Sequence, residues 1–244
     1  MSPDDVDRRV RDMRSYFEAS GFAKAVVGVS GGKDSAVALA LAVRALGPDN
    51  VLGIIVPCGS DSTTDEAIAV CDAFRVRNFV LDMWPAVSVA ERGELWLFDR
   101  FCRGLGRIDK GESHINFVAR VRMAYLRYVT QACGALLVGT TNASEAYVGY
   151  LTKGADTAVD VEPLIDWTVS EVIEAGRLLG VDERVLARVP SDGISGASDE
   201  ERLGVPYAAI DAYLRDGTSG DDHVDARIER LHETAAHKDD YVRF

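Results

Sequence analysis

Apolar residues fall into four short runs, separated by longer stretches in which they recur every three or four positions. The runs Ala25–Val29, Val51–Pro57, Asn78–Asp82 and Ala135–Thr140 are rich in β-branched and aliphatic residues and predict strands. The longer periodicity predicts helices over Asp4–Ala19, Ser35–Ala45, Thr64–Phe74 and Ile115–Gln131, with a start signal at Thr63-Thr64-Asp65-Glu66. Further helices follow Pro163 over Val169–Leu179, Ala208–Leu214 and Ala226–Ala236. Strand and helix alternate, so the fold class is α/β: a Rossmann-like parallel sheet with helices on both faces. The stretch Glu91–His114 carries four glycines and an apolar spacing at Leu95, Phe98, Phe101, Cys102 and Leu105. It reads as an amphipathic helix and loop, either a hinged lid or a plain surface segment. No repeat or internal boundary interrupts the pattern, so residues 1–244 are read as one domain.

Open parallel sheets bind ligands beyond the carboxyl ends of their strands. The loops Ser30–Ser35, Pro57–Ser62 and Gly139–Glu145 all fall at such ends. The first of them, Ser30-Gly31-Gly32-Lys33-Asp34-Ser35, runs directly into an Ala/Leu/Val helix. Glycines at a helix N-terminus let backbone N–H groups approach an anion such as phosphate. Asp34 inside that loop would repel bare phosphate, and it fits best as a ligand for a bridging Mg²⁺. Other readings of this turn fail on particular residues. A Walker A loop needs Gly where Val27 stands and a hydroxyl where Asp34 stands. Gly28-Val29-Ser30-Gly31-Gly32 matches G-x-S-x-G, but a nucleophile elbow normally follows several strands, and only one helix precedes this turn. An ordinary strand-to-helix connection is the bland alternative.

Composition changes the picture only at its edges. Hydrophobic and charged fractions of 47% and 27% are those of a globular chain. A net charge of −12 argues against a nucleic-acid partner, because phosphate backbones require a basic face. The N-terminus is polar and acidic, and no apolar run reaches membrane-spanning length, so a cytoplasmic location with no membrane partner is expected. Cys58, Cys71, Cys102 and Cys133 are widely spaced, and a zinc site is not expected. Core roles are expected for Cys102 and for Cys133, at a helix end.

Taken together with the later motifs, the chain resembles the ammonia-dependent NAD synthetases, within the broader ATP-pyrophosphatase loop group. The resemblance runs in order through Ser30–Ser35 (SGG-x-DS), Asn116, Ala119, Arg120, Arg122 and Met123 (N-x-x-AR-x-RM), and Gly139, Thr140 and Glu145 (G-T-x-x-x-x-E). It continues with Gly149–Lys153 (G-[YF]-x-T-K), Asp199–Gly204 (D-E-x-x-L-G) and His237-Lys238. Such a resemblance implies that Gly28, Val29, Ser30, Gly31, Gly32, Lys33, Asp34 and Ser35 hold ATP, with Thr140 and Ser191. It implies that Asp34 and Glu145 hold Mg²⁺ and act as the catalytic carboxylates. Arg120, Lys153, Asp160, His237 and Lys238 would line the dinucleotide.

The implied reaction joins ammonia to deamido-NAD through an acyl-adenylate, with ATP giving AMP and pyrophosphate. The resemblance also implies a homodimer. With the nucleotide loop at residue 30 no glutaminase domain is expected, and free ammonia or a separate subunit would supply nitrogen. Three departures bear on the acceptor. Val169 stands where the family has a lysine on ATP phosphate, Lys153-Gly154-Ala155-Asp156-Thr157 replaces K-Y-G-D-G, and Pro190–Ser195 lacks a tryptophan. They leave two alternatives: a related ligase amidating a different carboxylate in specialised metabolism, or a nucleotide-binding protein that has lost turnover.

Overall fold

A computed structural model of the chain describes residues 1–59, 63–93, 110–188 and 198–238. It begins with α1 (Pro3–Ser20), β1 (Ala25–Gly28), α2 (Lys33–Leu46), β2 (Val51–Ile55), α3 (Thr64–Ala73), β3 (Arg77–Val80) and α4 (Trp84–Gly93). After these come α5 (Lys110–Ala132), β4 (Leu136–Val138), α6 (Ala143–Val148), α7 (Val169–Leu179) and α8 (Glu183–Leu186). The described chain closes with α9 (Asp199–Leu203), α10 (Tyr207–Asp216) and α11 (Asp222–Ala235).

The four described strands are all parallel, in the order β3-β2-β1-β4. The chain steps outward from β1 to β3, then returns to pair β4 against the other side of β1. That reversal leaves a crevice beyond the carboxyl ends of β1 and β4. Beside β4 the sheet gains one more rung, because Gly139 N–H donates to the Val161 carbonyl at 2.7 Å and Asp160 N–H to that of Leu137 at 2.9 Å.

Helices cover both faces, as the alternation predicts. On one face α1, α2, α3 and α7 share a core that includes Phe17, Leu39, Leu41, Val70 and Val172. Helix α2 is buried nearly all round because it lies between the sheet and two further helices, which explains its continuous Ala/Leu/Val composition. On the other face Met83, just before α4, packs with Val87 of α4 and Val118 and Leu126 of α5 against Val26, Ile54 and Leu137. A third cluster, with Val148, Val169, Leu203, Tyr207, Ile210 and Ile228, fastens the C-terminal helices to α6.

Local sequence explains most element ends. Ser2 and Asp5 form a reciprocal capping box at the start of α1, with Pro3 in its first turn, and Gly21 closes it in the left-handed region. Strand β2 is shorter than its apolar run and stops before Pro57, which has no N–H to donate. Thr63 precedes α3 but makes no side-chain cap there. Short helices α6, α8 and α9 were beyond the reach of periodicity, since a window of one or two turns carries little signal, and α4, as long as α3, was not predicted. Cys133 directly follows α5 and packs against the second core, as expected for a helix-end residue. The greater part of Glu91–His114, including Cys102, and all of Pro190–Ser195 lie outside the described residues.

Candidate active site

The turn after β1 is shaped by its glycines and serines. Gly31 has φ +80°, and a Cβ there would come within 3.1 Å of the Thr63 carbonyl and 3.2 Å of Ala67 N. Only glycine lets this turn lie against the start of α3. Ser35 Oγ accepts from Ser30 N at 3.2 Å and donates to the Gly32 carbonyl at 3.0 Å, while Gly32 N donates to Ser30 Oγ at 3.2 Å. The hydroxyls therefore hold the turn closed, and the first turn of α2, whose N–H groups have no carbonyl one turn back, lines a large cavity.

Across the crevice, Asn142 begins α6 just after β4. Its side chain accepts from Glu145 N at 3.0 Å, while its own N–H donates to Glu145 Oε2 at 3.2 Å, a reciprocal capping box. The Asn142 amide also donates to Asp34 Oδ1 at 3.0 Å. Fully buried, this one amide ties the loop after β1 to the helix after β4. It holds both carboxylates at the cavity wall.

The electrostatics there are unusual. Burial pushes the Glu145 carboxyl well above the ordinary range and repulsion from Asp34 adds to this, against attraction from Lys33 and the Asn142 N–H. Lys33 is only 4% exposed, and its Nζ lies 2.9 Å from Asp34 Oδ2 and 5.7 Å from the centre of the Tyr207 ring. Burial would lower its pKa, but attraction to Asp34 and Glu145 and the bond to Asp34 outweigh that and raise it. The Tyr207 hydroxyl is buried and has no hydrogen-bond partner among the described residues. Asp199, also buried, accepts from the Tyr150 hydroxyl at 2.8 Å.

The cavity measures about 770 Å³. Gly28, Val29, Ser30, Gly32, Lys33, Asp34, Ser35, Thr140, Glu145, His237 and Lys238 line it, so most sequence-derived positions converge. Gly31 supports the turn from behind. Arg120, Lys153 and Asp160 do not reach this wall. Arg120 Nε donates to the Lys153 carbonyl at 3.1 Å, Lys153 Nζ to the His237 carbonyl at 2.5 Å, and Asp160 accepts from Arg127 at 2.6 Å and from Leu137 N at 2.8 Å. Lys238 Nζ donates to the carbonyls of Gly149 and Leu151 at 2.7 and 2.9 Å, which fixes the end of the described chain at the cavity mouth. Val169 is buried in the third apolar cluster and is not part of the wall, and Ser191 lies outside the described residues.

A second cavity of about 310 Å³ adjoins the first across Thr141, Leu151, Asp156 and Val159. It brings together Asp156, Asp160 and Glu162. Burial pushes Glu162 up to about 8, against a hydrogen bond from Thr141 N at 3.3 Å. Burial also raises Asp156, although it accepts from Thr152 N at 2.6 Å.

Sequence reasoning missed Asn142, Tyr207 and Glu162, and it placed Asp199 in a motif without giving it a role. Asn142 was findable, because Asn followed three residues later by Glu is a helix-start signature. Tyr207 and Glu162 gave no local signal.

A family model described as NAD synthase matches residues 5–240. The NH(3)-dependent NAD(+) synthetase of Methanococcoides burtonii is 37% identical over 220 residues, 88% of this chain and 78% of that protein. Its counterpart from Alkaliphilus metalliredigens is 35% identical, covering 96% of this chain and 94% of its own. Among solved structures, the NMN synthetase of Francisella tularensis superposes with a TM-score of 0.87 at 29% identity, over 100% of this chain and 98% of that one.

Proposed function

This chain belongs to the NAD synthase family, and from that premise we propose that it makes NAD from deamido-NAD, ammonia and ATP, releasing AMP and pyrophosphate. It is an AMP-forming ligase of the C–N type. The observation that carries the reading is the Asn142 amide, which joins the loop carboxylate Asp34 to Glu145 at the point where the sheet reverses direction.

A carboxylate resists amidation because oxide is a poor leaving group. In the proposed first step a nicotinate carboxylate oxygen attacks the α-phosphorus of ATP, and the bond to the β-phosphate bridging oxygen breaks. Ammonia nitrogen then attacks the acyl carbon, the bond to AMP breaks, and a proton is lost. The turn Gly28–Ser35 and the first turn of α2 would hold the phosphates, with Thr140 and Ser191 alongside. Such a site needs orientation and charge neutralisation more than a nucleophile, and Ser30 would act as a phosphate donor.

Asp34 and Glu145 suit a magnesium ion. Both offer hard oxygen donors, and their mutual repulsion is relieved by a divalent cation. When bound, Mg²⁺ would neutralise the departing pyrophosphate. His237 and Lys238 would meet the dinucleotide within the cavity, and Arg120, Lys153 and Asp160 at its margin. A homodimer, in which a second subunit completes that margin, fits the reading. Residues 1–244 would act as one ATP-pyrophosphatase domain in the cytoplasm, using free ammonia or a separate ammonia-supplying subunit. Among the described residues, no helix is long and apolar enough to cross a membrane.

The close superposition on an NMN synthetase favours one second reading, in which the acceptor is the smaller nicotinate mononucleotide. One assay decides. Purified protein is incubated with ATP, Mg²⁺, ammonium and either acid, and AMP and amide product are quantified by chromatography. AMP and NAD forming one to one from deamido-NAD are expected. Turnover confined to the mononucleotide would transfer the assignment to the second reading, and no AMP with either would overturn both.

A further inference from the structure

A buried ammonium at the positive end of a helix is unfavourable on two counts, desolvation and the helix dipole. Lys33 is in that position, in the first turn of α2 and 4% exposed. Three carboxylates hold it there: Asp34 at 2.9 Å, with Glu145 and Asp199 close enough to stabilise its charge, while the Tyr207 ring lies against it. Asp34 and Glu145 are also the groups read above as magnesium ligands. An ammonium and a divalent ion a few ångströms apart repel strongly in a buried site, so the same oxygens cannot serve both fully.

We propose that Lys33 is a resident counter-ion of the Asp34–Glu145 pair. It holds the carboxylates together when no divalent ion is bound and gives way when one binds. The affinity of the site for a divalent cation is then set by competition with the chain's own lysine. A four-carbon stem with three donors lets the ammonium leave Asp34 without moving the backbone. The Asn142 side-chain amide on Asp34 Oδ1 and its backbone N–H on Glu145 Oε2 would keep both carboxylates in place as the cation changes.

This inference rests on the metal reading of the pair, and the test separates the two. Free Mn²⁺ is titrated by electron paramagnetic resonance into the nucleotide-free wild type, Lys33→Met and Lys33→Arg. Thermal unfolding is recorded in EDTA and in Mn²⁺. Lys33→Met should bind Mn²⁺ about tenfold more tightly, melt lower in EDTA and regain more on Mn²⁺ addition. Lys33→Arg should keep wild-type affinity because it keeps the charge. Equal or weaker Mn²⁺ binding by Lys33→Met would overturn the competition while leaving the metal assignment standing. No Mn²⁺ binding by any of the three would overturn both. Should Lys33→Met fail to fold, ¹⁵N-lysine labelling of the wild type decides: the ammonium signal missing from Lys33→Arg must shift or exchange faster on Mg²⁺ addition, and an unchanged signal sinks the proposal.

Discussion

Asn142 shows how one residue serves fold and site together. Its carbonyl oxygen caps α6, its backbone N–H meets Glu145, and its amide reaches Asp34. Glu145 is thus set by the capping box of α6 and Asp34 by the bond it accepts from the Asn142 amide, and isosteric loss of either charge should leave the chain folded. Asp34→Asn and Glu145→Gln are each expected to cut AMP release at least a hundredfold, and wild-type turnover in either would remove the metal assignment. Asp34→Asn should also melt lower, because it leaves the buried Lys33 ammonium without its nearest counter-charge. Glu162 gives a pH effect of definite sign. Its carboxyl titrates near 4.5 when unfolded and at about 8 when folded, so between those values folding takes up a proton. The folded state therefore loses stability as pH rises through that window, and the loss levels off above it. Glu162→Gln should match the wild type near pH 5 and melt higher near pH 8.5, by roughly 2–6 °C, in unfolding scans across that range. Asp34 stood out in the sequence because an acid inside a glycine-rich turn at a helix N-terminus is unexpected unless a cation joins it. Glu162 did not, since a lone Glu before a proline gives no hint of which cavity it faces.

At the scale of elements, α6 is the hinge pin of the C-terminal half. Ser144 in its first turn donates to Asp211 Oδ1 and accepts from Val169 N at 3.1 Å, while Asp211 Oδ2 also accepts from Ser170 N at 2.8 Å. One buried aspartate on α10 therefore closes the N-terminus of α7 and fixes α6 at the same time. The other end of α6 stops at Gly149, with φ +66°, and a side chain there would overlap Ala235 on α11. Gly149→Ala combines a left-handed penalty with this overlap and should cost about 2–4 kcal/mol. It should also raise KM for the dinucleotide, because Lys238 is held on the Gly149 carbonyl. Unfolding midpoints together with steady-state kinetics would check both effects. The long helices and the strands were readable in advance. Helix α6 was not, because six residues give less than two turns of periodicity.

At the scale of the molecule, an acidic chain with net charge −12 carries a cavity whose wall includes Lys33, Arg122, Arg202 and Lys238. Net charge thus argues against a polyanionic partner without excluding a small anionic substrate. The proposed homodimer predicts a light-scattering mass twice that of the chain, and a monomer at working concentration would leave Arg120, Lys153 and Asp160 without the second subunit proposed to complete their site. By itself the sequence determined the parallel α/β class, the glycine-rich turn between β1 and α2 and the family, because alternating periodicity, glycine placement and ordered motifs are local properties of the chain. Only the tertiary structure decided that Asn142 joins Asp34 to Glu145, that Val169 is buried in an apolar cluster away from the cavity wall, and that Lys33 stands among carboxylates. The first and last of those facts depend on segments more than a hundred residues apart meeting where the sheet reverses, and the burial of Val169 on the packing of the C-terminal helices against α6. The glycine-rich turn after β1 lies at the cavity wall. Its charge balance is settled by what the fold brings to it from β4 and the C-terminal helices.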